Sequence, residues 1–217
     1  HYTNIFGDEI MEFRKDSIIE VFKTYNAILE GHFLLSSGLH SNKYIQCALV
    51  LQYPKLAEKI AMLIYEELRN TPSVLRQEIN VVVSPALGGV VIGQEVARVI
   101  STFSEKQVRA IFTERDDEGK MVLRRGFQLN HQNKCLVVED VVTTGKSTKE
   151  VIEVVKSYNA EVLAICSIFN RGIIEDDYFG IPYFYVSKLI INTYSKDECP
   201  LCKQNIPLVK PGSRKIK

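Results

Sequence analysis

The sequence predicts an α/β fold, an open and mostly parallel sheet flanked by helices, and three observations lead to it. Short runs dense in β-branched residues fall at 79–83 (INVVV), 108–113 (VRAIFT), 134–140 (KCLVVED) and 161–169 (EVLAICSIF). Their apolar residues are continuous rather than alternating, as in parallel strands buried on both faces. Segments of helical period separate them, and the turns SPALGG, EDVVTTGKS and NRG follow strand ends. In open sheets of this kind, ligands bind beyond the carboxyl ends of the strands, where those turns lie.

From the N-terminus, 17–31 (SIIEVFKTYNAILEG) places Ile18, Phe22, Tyr25 and Leu29 on one helical face and stops at Gly31, which predicts a helix. The next stretch, HFLLSSGLHSNKYIQCALVLQYP, breaks short apolar runs with Ser and Gly and reads as extended strand and turn. Pro54 starts a helix to about 69, with Leu56, Ile60, Leu63 and Ile64 facing inward. The strand at 79–83 leads through SPALGG into a helix at about 90–100, and the strand at 108–113 leads into a polar segment. The strand at 134–140 passes through TTGKS into a helix at about 147–158, and the strand at 161–169 follows. Neither an internal repeat nor a low-complexity tract is present.

A chain of 217 residues suits one medium-sized domain with a substantial core. Its 27 basic and 26 acidic residues leave a net charge of +1, so no overall field attracts nucleic acid or an anionic membrane. No apolar run approaches the roughly 18–20 residues of a membrane helix. The opening HYTNIFGDEI is mixed and polar, unlike a signal peptide, and 1–10 reads as a tail or extension before Met11. Five scattered cysteines fit a reducing compartment, with Cys47, Cys135 and Cys166 in apolar surroundings as small buried hydrophobes. A cytoplasmic enzyme is the expectation.

The stretch CLVVEDVVTTGKST (135–148) ends like a nucleotide-binding P-loop. GxxxxGK[ST] would place its first glycine at 140, where Asp140 stands after Glu139. Two carboxylates there repel a triphosphate. What remains is an acid pair at a strand end, then a Thr- and Gly-rich turn into a helix whose N-terminus suits one phosphate group. Lys146 adds positive charge, and the acids suit sugar hydroxyls or a magnesium ion. Together these describe a phosphorylated ribose; the plainer reading is a capped helix beside a solvated acidic strand end.

VVEDVVTTGKST resembles the 5-phosphoribosyl-1-pyrophosphate (PRPP) binding motif of the type I phosphoribosyltransferases. LLSSGLHSNKYIQ (34–46), SPALGGVVIGQEVA, FTERDDEGKMVLRRGF (112–127) and FNRG (169–172) resemble segments of the orotate phosphoribosyltransferases within that family. The tail CPLCKQNIPLVKPGSRK resembles the C-terminal end of one subgroup, so the similarity covers 11–214. The resemblance implies the type I phosphoribosyltransferase fold, with a core at about 54–171 and a small hood built from about 11–53 and 172–217. It also implies transfer of the phosphoribosyl group of PRPP to orotate in pyrimidine synthesis, Mg²⁺ dependence, and a homodimer sharing a catalytic loop across subunits, with no nucleic-acid or membrane partner.

Position by position, it implies that Glu139 and Asp140 hold the ribose hydroxyls, directly or through Mg²⁺, and that Asp140 belongs to the catalytic set with Lys120 and Arg115. Val141, Val142, Thr143, Thr144, Gly145, Lys146 and Ser147 complete the PRPP site. Thr143, Arg171 and Tyr44 contact orotate, and Ala86, Leu87, Gly88 and Gly89 form the loop on the pyrophosphate side. Many members carry a His in the mobile loop and a Lys in the ALGG turn; neither is present here, so Lys120, Arg115 and Mg²⁺ are left to stabilise the leaving group. Without the resemblance, ERDDEGKMVLRR reads as a solvated hairpin.

Two features stand outside that assignment. Cys199-Pro-Leu-Cys202 supplies two ligands where structural zinc takes four, and His1, His32, His40 and His131 show no complementary spacing. An ordinary turn is expected there, since a metal would need ligands from a second chain. His40 and Lys43 are expected as surface polar residues. Rival functions are transfer to uracil or a purine, and a PRPP-sensing regulator, which would be expected to carry a basic face or a DNA-binding module.

Overall fold

The computed structural model describes residues 13–35, 38–71, 74, 78–172, 174–175 and 177–211. The expected tail at 1–10 and the start at Met11 lie outside these residues. Two sheets organise the chain, one of six strands and one of three.

The six-stranded sheet contains β3 (Val81–Pro85), β4 (Arg109–Arg115), β5 (Met121–Leu123), β6 (Lys134–Val142), β7 (Glu161–Asn170) and β8 (Tyr183–Lys188). Their order is β5-β4-β3-β6-β7-β8, parallel throughout except for the antiparallel β4–β5 hairpin. Neighbouring residues of the central strands face opposite sides. Val82, Leu136, Val138, Ala164 and Cys166 join one buried cluster, while Val81, Val83, Cys135, Val137 and Ile165 join the other. The continuous apolar runs read from the sequence are therefore buried on both faces.

Helices α3 (Pro54–Arg69) and α4 (Gly88–Ser104) cover the first face, and α5 (Lys146–Ser157) covers the second. Pro54 opens α3 as expected, and Ile60, Leu63 and Ile64 are buried. Among the described residues, no helix is long and apolar enough to cross a membrane.

The helix expected over 17–31 stops early. α1 spans Ile18–Thr24; Asn26 takes a left-handed φ of 51°, and Ala27 N–H closes the end on the Phe22 carbonyl. Leu29 kept the helical period but lies on strand β1 (Ile28–Leu34). Ile18 and Phe22 fulfil the apolar face, and the Phe22 ring meets Phe169 edge-on at 4.8 Å between centroids, fastening α1 to the sheet.

β1 pairs antiparallel with β2 (His40–Ile45), which pairs antiparallel with β9 (Thr193–Tyr194). The short α2 (Ala48–Leu51) leads from this sheet to α3. Val209 bridges Phe33, so the chain end after α6 (Pro200–Lys203) lies along β1. The expected core boundary near 171 falls short of the large sheet, because β8 lies beyond it and pairs with β7.

Lys43 ion-pairs with Glu30 at 3.0 Å on the surface, as expected, but His40 does not behave as a surface residue. It is 3% exposed, its Nδ1 lies 2.9 Å from His32 Nε2, and Cys199 and Cys202 close the group. The four ligand atoms lie within 4.8 Å of one another inside one chain, which corrects the expectation that no histidine complements CPLC. Strand pairing brings the two histidines together, and the docked chain end adds the cysteines; neither pairing is visible as a spacing.

Candidate active site

The strand order reverses at β3: β4 lies on one side and β6 on the other. Such a switch point opens a crevice at the strands' carboxyl ends. β6 deepens it by outrunning its partner: β3 pairs only as far as Val83↔Val137, while β7 follows β6 to Asn170. Glu139 and Asp140 lie in the overrun and line a cavity of about 790 Å³.

Glu139 accepts a hydrogen bond of 2.7 Å from Thr148 Oγ1 on α5. Burial pushes its carboxyl up to about 8; the neighbouring Asp140 adds to the rise, while Thr148 and Arg115 oppose it. Burial also raises Asp140, against the Val141 N–H that its Oδ1 accepts at 2.9 Å. Two desolvated carboxylates with raised proton affinity form a site short of hydrogen-bond donors or positive charge. An all-oxygen donor pair of this kind fits a hard cation such as Mg²⁺.

The turn at 143–145 carries the chain from β6 into α5. Gly145 takes φ 71°, and a Cβ there would lie 2.9 Å from the Phe179 ring, so glycine is required on both grounds. Lys149 N–H donates to the Gly145 carbonyl at 2.9 Å, closing the first turn of α5. Thr143, Thr144, Lys146 and Ser147 line the cavity, gathering hydroxyls and a cation at the helix N-terminus. Tyr178 Oη donates to the Thr144 carbonyl at 3.3 Å, and its ring lies under Lys149 Nζ. The sequence reading missed these aromatic supports.

Arg171 follows β7, and its N–H donates to the Val142 carbonyl at 3.0 Å, tying it to the end of β6. The side chain lines the cavity but is only 6% exposed, and among the described residues its Nε and Nη2 have no hydrogen-bond partner. Burial lowers its proton affinity, with the Tyr44 phenol acting in the other direction. Tyr44 projects from β2 into the same cavity; burial raises its phenol, Asp140 and Cys47 add to that, and Arg171 opposes it. The two sheets thus present Tyr44, Arg171 and Asp140 to one another, with Leu35, Leu39 and Thr193 adding the small sheet's wall.

The other expected residues are placed differently. Arg115 lines the cavity, but it is ion-paired with Glu150 and donates to the Gly119 carbonyl at 2.6 Å. Lys120 lies in the exposed turn of the β4–β5 hairpin and is not among the cavity-lining residues; its N–H donates to Asp116 Oδ1 at 2.8 Å. Ala86, Leu87, Gly88 and Gly89 also lie outside the lining: Ala86 and Leu87 connect β3 to α4, and Gly88 and Gly89 open the helix. Gly88 nevertheless abuts the acids: a Cβ there would come within 2.6 Å of Asp140 Oδ1.

Residues 49–192 match the model of the phosphoribosyl transferase domain family. The chain is 50% identical over 201 residues to the orotate phosphoribosyltransferase of Caldicellulosiruptor bescii, covering 93% of this chain and 98% of that one. The chain belongs to the orotate phosphoribosyltransferase family. Another relative in this family, from Caldanaerobacter subterraneus, is 48% identical over 202 residues, 93% of this chain and 99% of its own. The fold is also that of solved orotate phosphoribosyltransferases. The Aeropyrum pernix enzyme has a TM-score of 0.61 at 23% identity, over 78% of this chain and 92% of that one. The Mycobacterium tuberculosis enzyme, solved in complex with PRPP, has a TM-score of 0.61 at 19% identity, over 81% and 96%.

Proposed function

We propose that the chain moves the 5-phosphoribosyl group of PRPP onto N1 of orotate, releasing pyrophosphate and orotidine 5′-monophosphate. The observation that carries this reading is the buried Arg171 guanidinium, whose Nε and Nη2 have no partner among the described residues, in the cavity that the acid pair and the phosphate turn also line. A desolvated cation without an anion is unfavourable in the unliganded protein, and the orotate carboxylate is a planar, bidentate partner for it. Tyr44 flanks the base, and Thr143 lies at the start of the phosphate turn, where base and sugar meet.

On this reading, 143–147 and the N-terminus of α5 hold the 5′-phosphate, with Lys146 as a charged wall. Glu139 and Asp140 accept hydrogen bonds from the ribose 2′- and 3′-hydroxyls. They would also hold Mg²⁺, which when bound supplies positive charge against the pyrophosphate. Gly88, pressed against Asp140, sets the close approach of the loop 86–89 on the pyrophosphate side. The C1–oxygen bond to pyrophosphate breaks with its electron pair leaving on the phosphate, and the N1–C1 bond forms as N1 loses its proton. The reaction needs no nucleophilic side chain. The protein's contribution is orientation and charge placed against the leaving group.

Orotate consumption, followed by absorbance with PRPP in the presence and absence of Mg²⁺, tests the assignment against a panel of uracil, hypoxanthine and adenine. Uracil lacks the carboxylate and leaves Arg171 unpaired, so orotate is expected to be preferred by about 10²-fold or more in kcat/KM. Turnover of uracil or a purine at the orotate rate would overturn the reading.

Lys120 and Arg115 are proposed to serve the leaving pyrophosphate. The exposed hairpin turn, with Lys120 outside the lining of its own chain's cavity, supports delivery of Lys120 to a neighbouring subunit of a homodimer. Lys120→Ala and Arg171→Ala chains are each expected to be nearly inactive alone. Randomly reassorted, they should regain about a quarter of wild-type activity, because half the dimers then hold one intact site. No recovery would place the loop's action within its own subunit.

A further inference from the structure

We infer that His32, His40, Cys199 and Cys202 form a structural Zn²⁺ site that clamps the chain's C-terminal segment to the β1–β2 hairpin, apart from the catalytic cavity. The four donors come from three places in the fold: β1, β2, and α6 with its N-cap. His32, His40 and Cys199 are buried, at 2%, 3% and 0% exposure, and Cys202 closes the open side.

Three nitrogen–sulfur edges of the cluster match a tetrahedral ion. With Zn–S of about 2.3 Å and Zn–N of about 2.0–2.1 Å, nitrogen and sulfur on one tetrahedron lie roughly 3.5 Å apart. Here Cys199 Sγ is 3.5 Å from His32 Nε2, and Cys202 Sγ is 3.7 Å from His32 Nε2 and 3.3 Å from His40 Nδ1. The two nitrogens are 2.9 Å apart, so an opening of a few tenths of an ångström at that edge admits the ion.

The surroundings prepare the ligands. His32 Nδ1 lies 2.7 Å from the Ile206 carbonyl, a partner that can only accept, so the ring proton sits on Nδ1 and the Nε2 lone pair points into the cluster. Ile206 belongs to the same segment as the cysteines, so the outer hydrogen bond and the inner ligands hold the same two pieces of chain together. The turn is shaped for this: Lys203 and Gln204 N–H close on the Cys199 and Pro200 carbonyls, and Asn205 takes φ 55°. Two thiolates and two imidazoles form a borderline-soft set that selects Zn²⁺ over the hard Mg²⁺ proposed for the carboxylates. A hydrogen bond between the histidines explains their own contact, but it gives no reason for two cysteines to meet them.

The clamp acts on the wall of the cavity. Val209 N–H donates to the His32 carbonyl and Leu34 N–H to the Val209 carbonyl, extending the small sheet beside the cluster. That sheet carries Tyr44, four residues after His40 on the same strand. Loss of the metal is therefore expected to loosen the base-side wall while leaving the phosphate turn in place.

The untagged full chain, purified without added chelator, should contain about one zinc per chain by inductively coupled plasma mass spectrometry. Glu139→Gln should keep that zinc, and Cys202→Ser or His40→Ala should lose most of it. The wild-type chain, stripped and titrated with Co²⁺ under reducing conditions, should develop thiolate-to-cobalt charge transfer and the visible bands of a tetrahedral site. This readout needs no variant to fold. Stripping zinc should lower Tm and raise KM for orotate more than for PRPP. A chain without zinc that develops no tetrahedral cobalt spectrum, or one whose two cysteines resist reduction as a disulfide, overturns the proposal. So does zinc that is lost with Glu139→Gln but kept by Cys202→Ser.

Discussion

Arg171→Met is expected to cut kcat/KM for orotate by about 10³-fold, about 4 kcal/mol, the range for removing one partner of a buried charge pair. KM for PRPP should change little, because Arg171 lies at the end of β7 rather than in the phosphate turn. Stability should move the other way. In the unliganded chain Nε and Nη2 are buried with no partner among the described residues, and burial already lowers the group's proton affinity. Replacing a desolvated, unpaired cation with an apolar side chain of similar length removes a penalty rather than a contact. The Met variant should therefore melt at or above the wild-type temperature while losing orotate turnover. Arg171→Lys keeps the charge but not the planar fork, so it should recover only part of the loss. Steady-state kinetics with each substrate varied, together with thermal melts of the apo proteins, checks both halves. A variant both unstable and equally impaired for both substrates would make Arg171 a core residue instead of an orotate ligand.

What could be read from the sequence is what is local along it. The parallel strands are legible because burial on both faces leaves continuous β-branched runs, and the acid pair and the Thr- and Gly-rich turn, which line one cavity, are legible because they adjoin within one strand–turn–helix unit. The turn that holds Arg171 is legible because it follows a strand on the side where ligands bind, while the role given to Arg171 comes from the resemblance of FNRG. β9 is two residues long and exists only through its pairing with β2, so no pattern could announce it. β8 mixes buried and half-exposed residues and carries no continuous apolar run. α1 was overextended because Leu29 keeps the helical period on a strand, and only the left-handed Asn26 marks the break. His40 and Cys202, 162 residues apart, were read separately as a surface residue and half of a turn. Their meeting depends on the docking of the chain end along β1, which is a tertiary event.

The acid pair yields a prediction in pH. Glu139 is raised by burial from 4.5 to about 8, so between those values the folded apo protein holds a proton that the unfolded chain has released. Stability changes with pH in proportion to protons bound by the unfolded state minus those bound by the native state, and here that difference is negative. The contribution is fully present below the unfolded value and is lost as pH rises through the folded one. The apo melting temperature should thus fall between about pH 5 and pH 8 by more than it does in Glu139→Gln, whose amide cannot ionise. Asp140, raised by burial as well, contributes with the same sign. Ligation reverses the preference. Ribose hydroxyls donate to ionised carboxylates, and a divalent cation binds only those, so PRPP binding with Mg²⁺ should release a proton near neutrality and tighten as pH rises to about 8. Calorimetric titrations in buffers of different ionisation enthalpy measure that proton directly. Glu139→Gln should abolish the release, and Asp140→Asn should lower kcat/KM for PRPP by about 10²–10³-fold, the scale of removing one preorganised electrostatic group. If the variant with glutamine at 139 released the same proton as wild type, the acceptor would be another group, and the ribose site would have to be sought away from the end of β6.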